Sequence, residues 1–214
     1  MEIKYLGHSS FRIRGKDAVI VTDPFDQKMV GLTYPKTEAQ VVTISHEHAD
    51  HNALERVSGD LVVVRGPGEY EIRGVRIYGY RTFHDDKNGE ERGVNTVYLF
   101  VLDGIRIVHC GDLGHTLSDS LLDEIGDVDI LFIPIGGTYT INAKQAASVV
   151  KQIEPLIVIP MHYKVPGMTD SFSELQTVDM FAKELDKEVK TEDKLVISRD
   201  KFPEDLELVV LQNK

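Results

Sequence analysis

The sequence has one cysteine, no tryptophan and no long apolar stretch. Because Cys110 has no second cysteine to pair with, an intrachain disulfide and a cysteine-rich structural zinc site are both excluded. No apolar run approaches the roughly 20 residues needed to span a bilayer, and the charged first 15 residues lack the apolar core of a secretory signal. We therefore expect a cytoplasmic protein without a membrane partner.

Basic residues are scarce relative to acidic ones, with 24 Lys and Arg against 35 Asp and Glu, for a net charge of −11. This balance disfavours binding that depends on neutralising a phosphate backbone, so no nucleic-acid partner is expected. Linkers rich in Pro, Gly or Ser are also missing. We expect residues 1–214 to form one domain.

Apolar periodicity predicts many short strands and few helices. A weak helix is predicted at 53–57. The Asn142/Gln145 and Ser171/Glu174 pairs have capping-box spacing and predict helix starts. The predicted strands are 3–6, 10–14, 18–22, 40–44, 61–64, 75–81, 94–102, 105–109, 130–135, 157–161, 195–198 and 206–211, and the predicted longer helices are 117–125, 143–153 and 173–187. Strands alternate with helices in the second half, but the chain as a whole lacks strict strand–helix alternation, so the pattern favours an α/β (α+β) fold of packed sheets with helices on the outer faces.

A cluster of metal-ligand residue types follows the predicted buried strand at 40–44: His46, His48, Asp50 and His51. In extended chain, residues i and i+2 project to one side, so His46 and His48 can bind one metal while Asp50 and His51 face a second. Three histidines and an aspartate within six residues are costly to bury as ordinary packing. The segment therefore predicts a metal site made of imidazoles and carboxylates.

This His-x-His-x-Asp-His pattern resembles the first signature of the metallo-β-lactamase superfamily. The resemblance implies a four-layer αββα sandwich, a metal-dependent hydrolase and two divalent transition-metal ions, zinc first, with manganese or iron as alternatives. It also implies three downstream ligands, each after a predicted strand. By the family pattern the first metal is held by His46, His48 and His84, the second by Asp50, His51 and His162, and Asp112 bridges them.

Other histidines compete for these roles. His109, three residues before Asp112, is the alternative to His84, although its place within an apolar strand favours a buried structural role. His115, in a glycine-rich turn, is interpreted as a surface residue, and Cys110 as a small buried hydrophobe.

Two further segments, Tyr5 to Phe11 and Thr22-Asp23-Pro24, resemble the branch that contains L-ascorbate-6-phosphate lactonase. His8 is expected at the rim of the site as a second catalytic candidate that contacts substrate or product, with a hydrogen-bonded turn histidine as the alternative. Asp23 is expected to orient a ligand histidine, with an ordinary turn residue as the alternative. The loop 85–92 is a candidate lid or simply a solvated loop. Arg92 within it is a weak candidate for an anionic substrate group, because the loop is net acidic.

We therefore expect hydrolysis of a small-molecule substrate, a lactone or another ester, by a hydroxide that two metals activate and Asp50 orients. A phosphodiesterase or nuclease is the alternative enzyme, since the same histidine cluster serves such branches. A catalytically idle metal- or ligand-binding module is the alternative from another class. The chain lacks the long insertions of the lactonase, so a sugar-phosphate lactone is an analogy only.

Overall fold

The structure is a computed structural model, and it describes residues 1–213. Its α-helices are α1 Gln27–Val30, α2 Asp119–Ile125, α3 Ala143–Ile153 and α4 Val178–Leu185. Its strands are β1 Glu2–Gly7, β2 Ser10–Arg14, β3 Val19–Thr22, β4 Thr37–Glu38, β5 Val41–Ile44, β6 Val57–Ser58, β7 Val62–Arg65, β8 Gly68–Ile72, β9 Val75–Phe83, β10 Val94–Leu102, β11 Ile105–His109, β12 Ile130–Pro134, β13 Ile157–Met161, β14 Val189–Glu192, β15 Leu195–Val196 and β16 Glu207–Leu211.

Two mixed sheets form the centre of the molecule. The first has the strand order β15-β1-β2-β3-β5-β7 and the second β14-β16-β13-β12-β11-β10-β9-β8. In each sheet, antiparallel hairpins occupy one part and parallel strands the other. The sequence predicted that strands alternate with helices in the second half, and the structure confirms this: α2 and α3 separate β11, β12 and β13, which pair in parallel. Parallel neighbours require such a crossover, because the chain must return to the same end of the sheet.

The inner faces of the two sheets pack against each other and form the main core. The Phe11 ring of β2 stacks on the Phe132 ring of β12, with 4.1 Å between centroids. Every residue of β12 and β13 is buried. Full burial explains why these strands are continuous apolar runs rather than alternating ones: both of their faces are covered.

Helices cover the outer faces and complete the predicted sandwich. The α3 helix begins with a capping box between Asn142 and Gln145, as predicted, and packs on β12 and α4. The α4 helix is shorter than the predicted 173–187. Ser171 lies in a 3-10 turn, Asp170–Phe172, rather than capping a helix, because Phe172 and Leu175 are drawn into the apolar cluster outside the first sheet. That outer face is otherwise covered by α1 and the 3-10 turn Leu54–Arg56, which lies in the weakly predicted helix.

The helices are short. Within residues 1–213, none has the length and apolar character required to cross a membrane.

Candidate metal centre

The seven predicted ligands come together at one end of the sandwich, each presented by the chain just after a strand. The first four follow β5, and His84, Asp112 and His162 follow β9, β11 and β13. Because β11, β12 and β13 run parallel, their carboxyl ends open at the same edge, where such sheets commonly place their sites. The order of strands in the fold therefore assembles residues that are more than 100 positions apart.

Three histidines form the first group: His46, His48 and His84 each offer a ring nitrogen, and these atoms lie within 4.8 Å of one another. The ring centroid of His46 is 4.6 Å from that of His48 and 4.7 Å from that of His84. His46 and His84 are buried, whereas His48 is exposed. The group is thus open to solvent on the His48 side.

The second group has a member that the family pattern does not supply. Ligand atoms of His8, Asp50, His51 and His162 lie within 4.8 Å of one another. All four residues are buried. Asp50, His51 and His162 are the predicted set for the second metal, and His8 joins them from the β1–β2 turn.

Asp112 lies between the two groups, and its Oδ2 atom is the centre of the site. This oxygen is 3.2 Å from Nε2 of His51, His84 and His162 alike. It is 3.9 Å from Nε2 of His46. A carboxylate in this position can contact ions in both groups.

The donor set fits metal ions. The buried atoms Nε2 of His46, Nε2 of His51, Nε2 of His162 and Oδ1 of Asp112 have no hydrogen-bond partner among the residues that the structure describes. Leaving one such group unsatisfied costs about 1–3 kcal/mol, so four together need an explanation. Two ligand atoms that are each about 2.0–2.2 Å from one ion are separated by about 3.0–3.5 Å, which matches the spacing around Asp112.

Two ligand histidines are oriented through Asp23. Its Oδ2 accepts a hydrogen bond from His51 Nδ1 at 2.9 Å and from Ser45 Oγ at 2.6 Å, and its Oδ1 accepts from Ser45 N at 2.8 Å. Since the Ser45 hydroxyl donates to Asp23, it accepts from His46 Nδ1, 3.0 Å away. Protons held on both Nδ1 atoms leave both Nε2 atoms free to bind metal. Sequence reasoning missed Ser45, whose signal was its position directly before the histidine cluster.

The two carboxylates of the site and His46 are in their metal-binding forms at neutral pH. Burial opposes ionisation of Asp112, but His162 and His51 outweigh it and hold the pKa of this carboxyl well below its usual value. For Asp50, burial is likewise outweighed, by His51 and by the hydrogen bond from His8, so its pKa is also lowered. Burial, followed by the neighbouring His51, lowers the pKa of His46. Carboxylates and a neutral imidazole are the forms that bind metal. At His51 burial lowers the pKa, but Asp112 and Asp50 outweigh it and raise the pKa well above its ordinary value, so metal binding there displaces a proton.

His8 lies beneath the site, not at its rim as expected. Its side chain is fully buried, and Nε2 donates to Asp50 Oδ2 at 3.1 Å. The turn points inward because the His8 backbone, at φ 55°, has its carbonyl held by the Tyr5 hydroxyl and by the His162 amide. Burial and then His162 lower the pKa of His8 to about 4, so the ring is neutral at pH 7. His8 therefore contacts Asp50 and is absent from the walls of the cavity beside the ligands.

The remaining residues singled out from the sequence lie outside the two groups. His109 is fully buried, and both of its nitrogens have partners: Nε2 donates to Ser9 O at 2.8 Å and Nδ1 accepts from Gly111 N at 3.1 Å. Both nitrogens of half-buried His115 are engaged by backbone groups. Cys110 is fully buried.

Close backbone packing holds the ligand loops together. A Cβ atom on Gly114 would lie 2.2 Å from the Asp85 amide nitrogen, and one on Gly136 would lie 2.3 Å from the His162 carbonyl oxygen. Asn95, fully buried, accepts from the Asp112 amide at 2.9 Å. The glycine-rich stretches of the sequence thus permit ligand-bearing loops to touch.

The centre opens into a cavity of about 360 Å³. Four predicted ligands form one side of it, and four other side chains and Ser171 form the rest. The cavity is lined by His48, Asp50, His84, Asp112, Met29, Arg92, Tyr139, Ser171 and Phe172. A pocket of this size suits a small molecule.

Comparison with known proteins places these observations in a family. Residues 2–162 match the model of the beta-lactamase superfamily domain. A UPF0173 metal-dependent hydrolase from Thermococcus onnurineus is 30% identical over 190 residues, which cover 76% of this chain and 84% of the relative.

Solved structures support the same family assignment. A crystal structure of a metallo-beta-lactamase superfamily protein from Thermotoga maritima is 36% identical, with a TM-score of 0.81 and 99% of each chain covered. Igni18, a metallo hydrolase from Ignicoccus hospitalis, shares the fold at 21% identity, with a TM-score of 0.66 over 86% of this chain and 90% of that one. The chain therefore belongs to the metallo-β-lactamase superfamily and, within it, to the UPF0173 family of metal-dependent hydrolases.

Proposed function

We propose that the protein hydrolyses a small-molecule lactone or another ester with two divalent transition-metal ions, zinc first and manganese or iron as alternatives. The observation that carries the proposal is the position of the Asp112 carboxylate between two ligand groups, beside a cavity of about 360 Å³. Such ions, when bound, lower the pKa of water and polarise the carbonyl that is attacked. The first would be held by His46, His48 and His84, the second by Asp50, His51 and His162, with Asp112 shared.

Asp50 is proposed to orient the attacking water. Its carboxylate lines the cavity with 9% of the side chain exposed, and the lowered pKa keeps it ionised and able to accept a hydrogen bond from that water. His8 positions this carboxylate from below by donating to Oδ2. His8 is thus a positioning residue that acts through Asp50.

The size of the cavity and the charge of the chain favour a small molecule over a nucleic acid. Phe172, Met29 and Tyr139 line the same cavity as the ligands and give it apolar surface that the carbon skeleton of an ester can contact. The net charge of −11 opposes a phosphate backbone. Likeness to the lactonase branch supports a lactone as the first ester to test.

The test is a screen of the metal-loaded protein against lactones, simple esters, thioesters, phosphodiesters and β-lactams. We expect turnover of at least one lactone or ester, and an Asp50→Ala variant should remain folded but lose about 100-fold or more in kcat. Because the change leaves the buried His8 Nε2 without its acceptor, its melting temperature should fall by about 2–12 °C. Arg73→Gln, a change at an exposed arginine outside the site, is the control. Turnover confined to phosphodiesters, or an Asp50→Ala variant as active as the wild type, would overturn the proposal.

A further inference from the structure

Arg92 stands at the mouth of the metal centre and carries charge that the hydrolytic site does not use. It lines the cavity of about 360 Å³ beside the ligands and also an adjoining cavity of about 460 Å³, which it shares with His48. Its side chain is 36% exposed. Among the described residues on the wall of the smaller cavity, it is the one lysine or arginine.

The position of Arg92 is fixed by the residue next to a predicted ligand. Asp85 follows His84 directly, is buried, and accepts from four backbone amides of the loop, including that of Arg92 at 2.8 Å. The loop 85–92 is therefore anchored at its base, which argues against a freely moving lid.

The guanidinium of Arg92 is held on one side and free for a ligand on the other. It lies 5.9 Å from the ring centroid of Tyr139, whose hydroxyl donates to Ser171 O at 2.7 Å. Its nearest carboxylate is Glu91, at 3.6 Å, which also pairs with Lys87. An exposed and shared ion pair of this kind is weak, so a ligand anion can compete for the guanidinium.

We propose that Arg92 binds an anionic group of the substrate, a carboxylate or a phosphate, while the scissile ester lies at the metal centre. This inference rests on the proposed function and narrows its substrate class to esters with an acidic substituent. The planar guanidinium offers paired N–H donors that match either anion. The apolar side chains of Met29 and Phe172 suit the carbon chain between the two ends.

The test measures binding, not turnover, so that it stands even if no ester is hydrolysed. The probes are the monohydroxamates of succinic, glutaric and adipic acid, in which the hydroxamate binds metal and the far carboxylate reaches for Arg92. Each is paired with its neutral amide. Titration calorimetry on the zinc-loaded protein should give tighter binding of the acid than of the amide for at least one chain length, and a phosphonate of that length distinguishes the two anions.

Changes at Arg92 and at Glu91 should shift the affinity for the acid in opposite directions. Arg92→Gln should lower the affinity for the acid about tenfold and change the affinity for the amide by no more than about twofold. Arg92→Lys should recover part of the lost affinity. Glu91→Gln should raise the affinity for the acid about twofold to threefold, because it removes a carboxylate that competes for the guanidinium. Arg73→Gln, which changes an exposed arginine paired with Asp60, is the control. Any of three results would overturn the inference. The first is an equal loss of affinity for acid and amide in Arg92→Gln. The others are equal affinity for acid and amide at every chain length, and no binding of either member of any pair.

Discussion

His84 and His109 are the two candidates for the third histidine of the first metal, and the structure predicts opposite consequences for their replacement by alanine. His84 directs Nε2 to within 3.2 Å of Asp112 and shares a group with His46 and His48. His109 has both nitrogens engaged by the backbone of Ser9 and Gly111. His84→Ala should therefore reduce metal binding, whereas His109→Ala should reduce stability.

The size of the stability loss follows from the surroundings of His109. Its removal leaves two buried backbone groups without partners, at about 1–3 kcal/mol each, and opens a cavity beside Phe11 and Phe132, whose ring centroids lie 6.1 and 6.0 Å away. Together these effects should cost about 3–5 kcal/mol. For a chain of this length that corresponds to a fall in melting temperature of about 6–20 °C.

The expected loss for His84→Ala lies in affinity. In the metal-free protein, its buried Nδ1 has no partner within residues 1–213, so removal of the ring should change the melting temperature little. Affinity for the first metal should fall by at least about 100-fold, since changes in residues that merely support a ligand already cost 10–100-fold.

Competition with a chromophoric chelator and melting of the metal-free proteins measure the two effects separately, with Arg73→Gln, a change at an exposed residue, as the control. The ligand assignment is refuted if His109→Ala loses a metal while His84→Ala binds like the wild type.

Three further predictions concern the centre and its partners. Elemental analysis of the reconstituted protein should give about two metal ions per chain, and saturation at one would contradict the two-metal assignment. Gly114→Ala should displace the backbone at Asp85 and His84, because its Cβ would lie 2.2 Å from the Asp85 nitrogen. We expect the free energy of unfolding to fall by about 1–3 kcal/mol and metal binding to weaken. An unchanged metal titration would contradict this prediction. Titration with RNA and DNA should show no tight, salt-sensitive binding, given the net charge of −11, and a steep salt dependence would restore the nuclease alternative.

The elements that the sequence predicted well are those whose pattern is set by the core. The strands at 10–14, 94–102, 105–109 and 157–161 and the helix at 143–153 have the bounds that the structure shows. Two strands at the edges of the second sheet, β8 and β14, were missed. Every residue of β14 is exposed, so no apolar alternation marks it. In β8 the alternation is short, with Tyr70 and Ile72 half-buried between exposed residues, and it follows the turn residues Gly66 and Pro67 directly.

In the metal centre, too, some residues could be predicted from local sequence, whereas others depend on tertiary contacts. Residues His46 to His51 are adjacent in the chain, and their spacing alone indicates a metal site. The support from Ser45 and the depth of His8 depend instead on contacts between distant segments: His8 O accepts from the His162 amide across 154 positions. No local pattern distinguishes a turn histidine that faces solvent from one that the backbone turns inward at φ 55°.

Strand register determines which nitrogen each ligand offers to metal. Parallel pairing of β3 with β5 sets Thr22 opposite Thr43, and the Asp23 amide continues the ladder by donating to Thr43 O at 2.9 Å. This register brings the Asp23 carboxylate to Ser45 and, through it, to the ligands that follow β5. A shift of one residue would turn the Asp23 side chain to the other face of the sheet, and Nδ1 of His51 would lose its acceptor. The apolar residues that fix the register of these two buried strands, Val21 and Val42 among them, therefore also fix the tautomers on which metal binding depends.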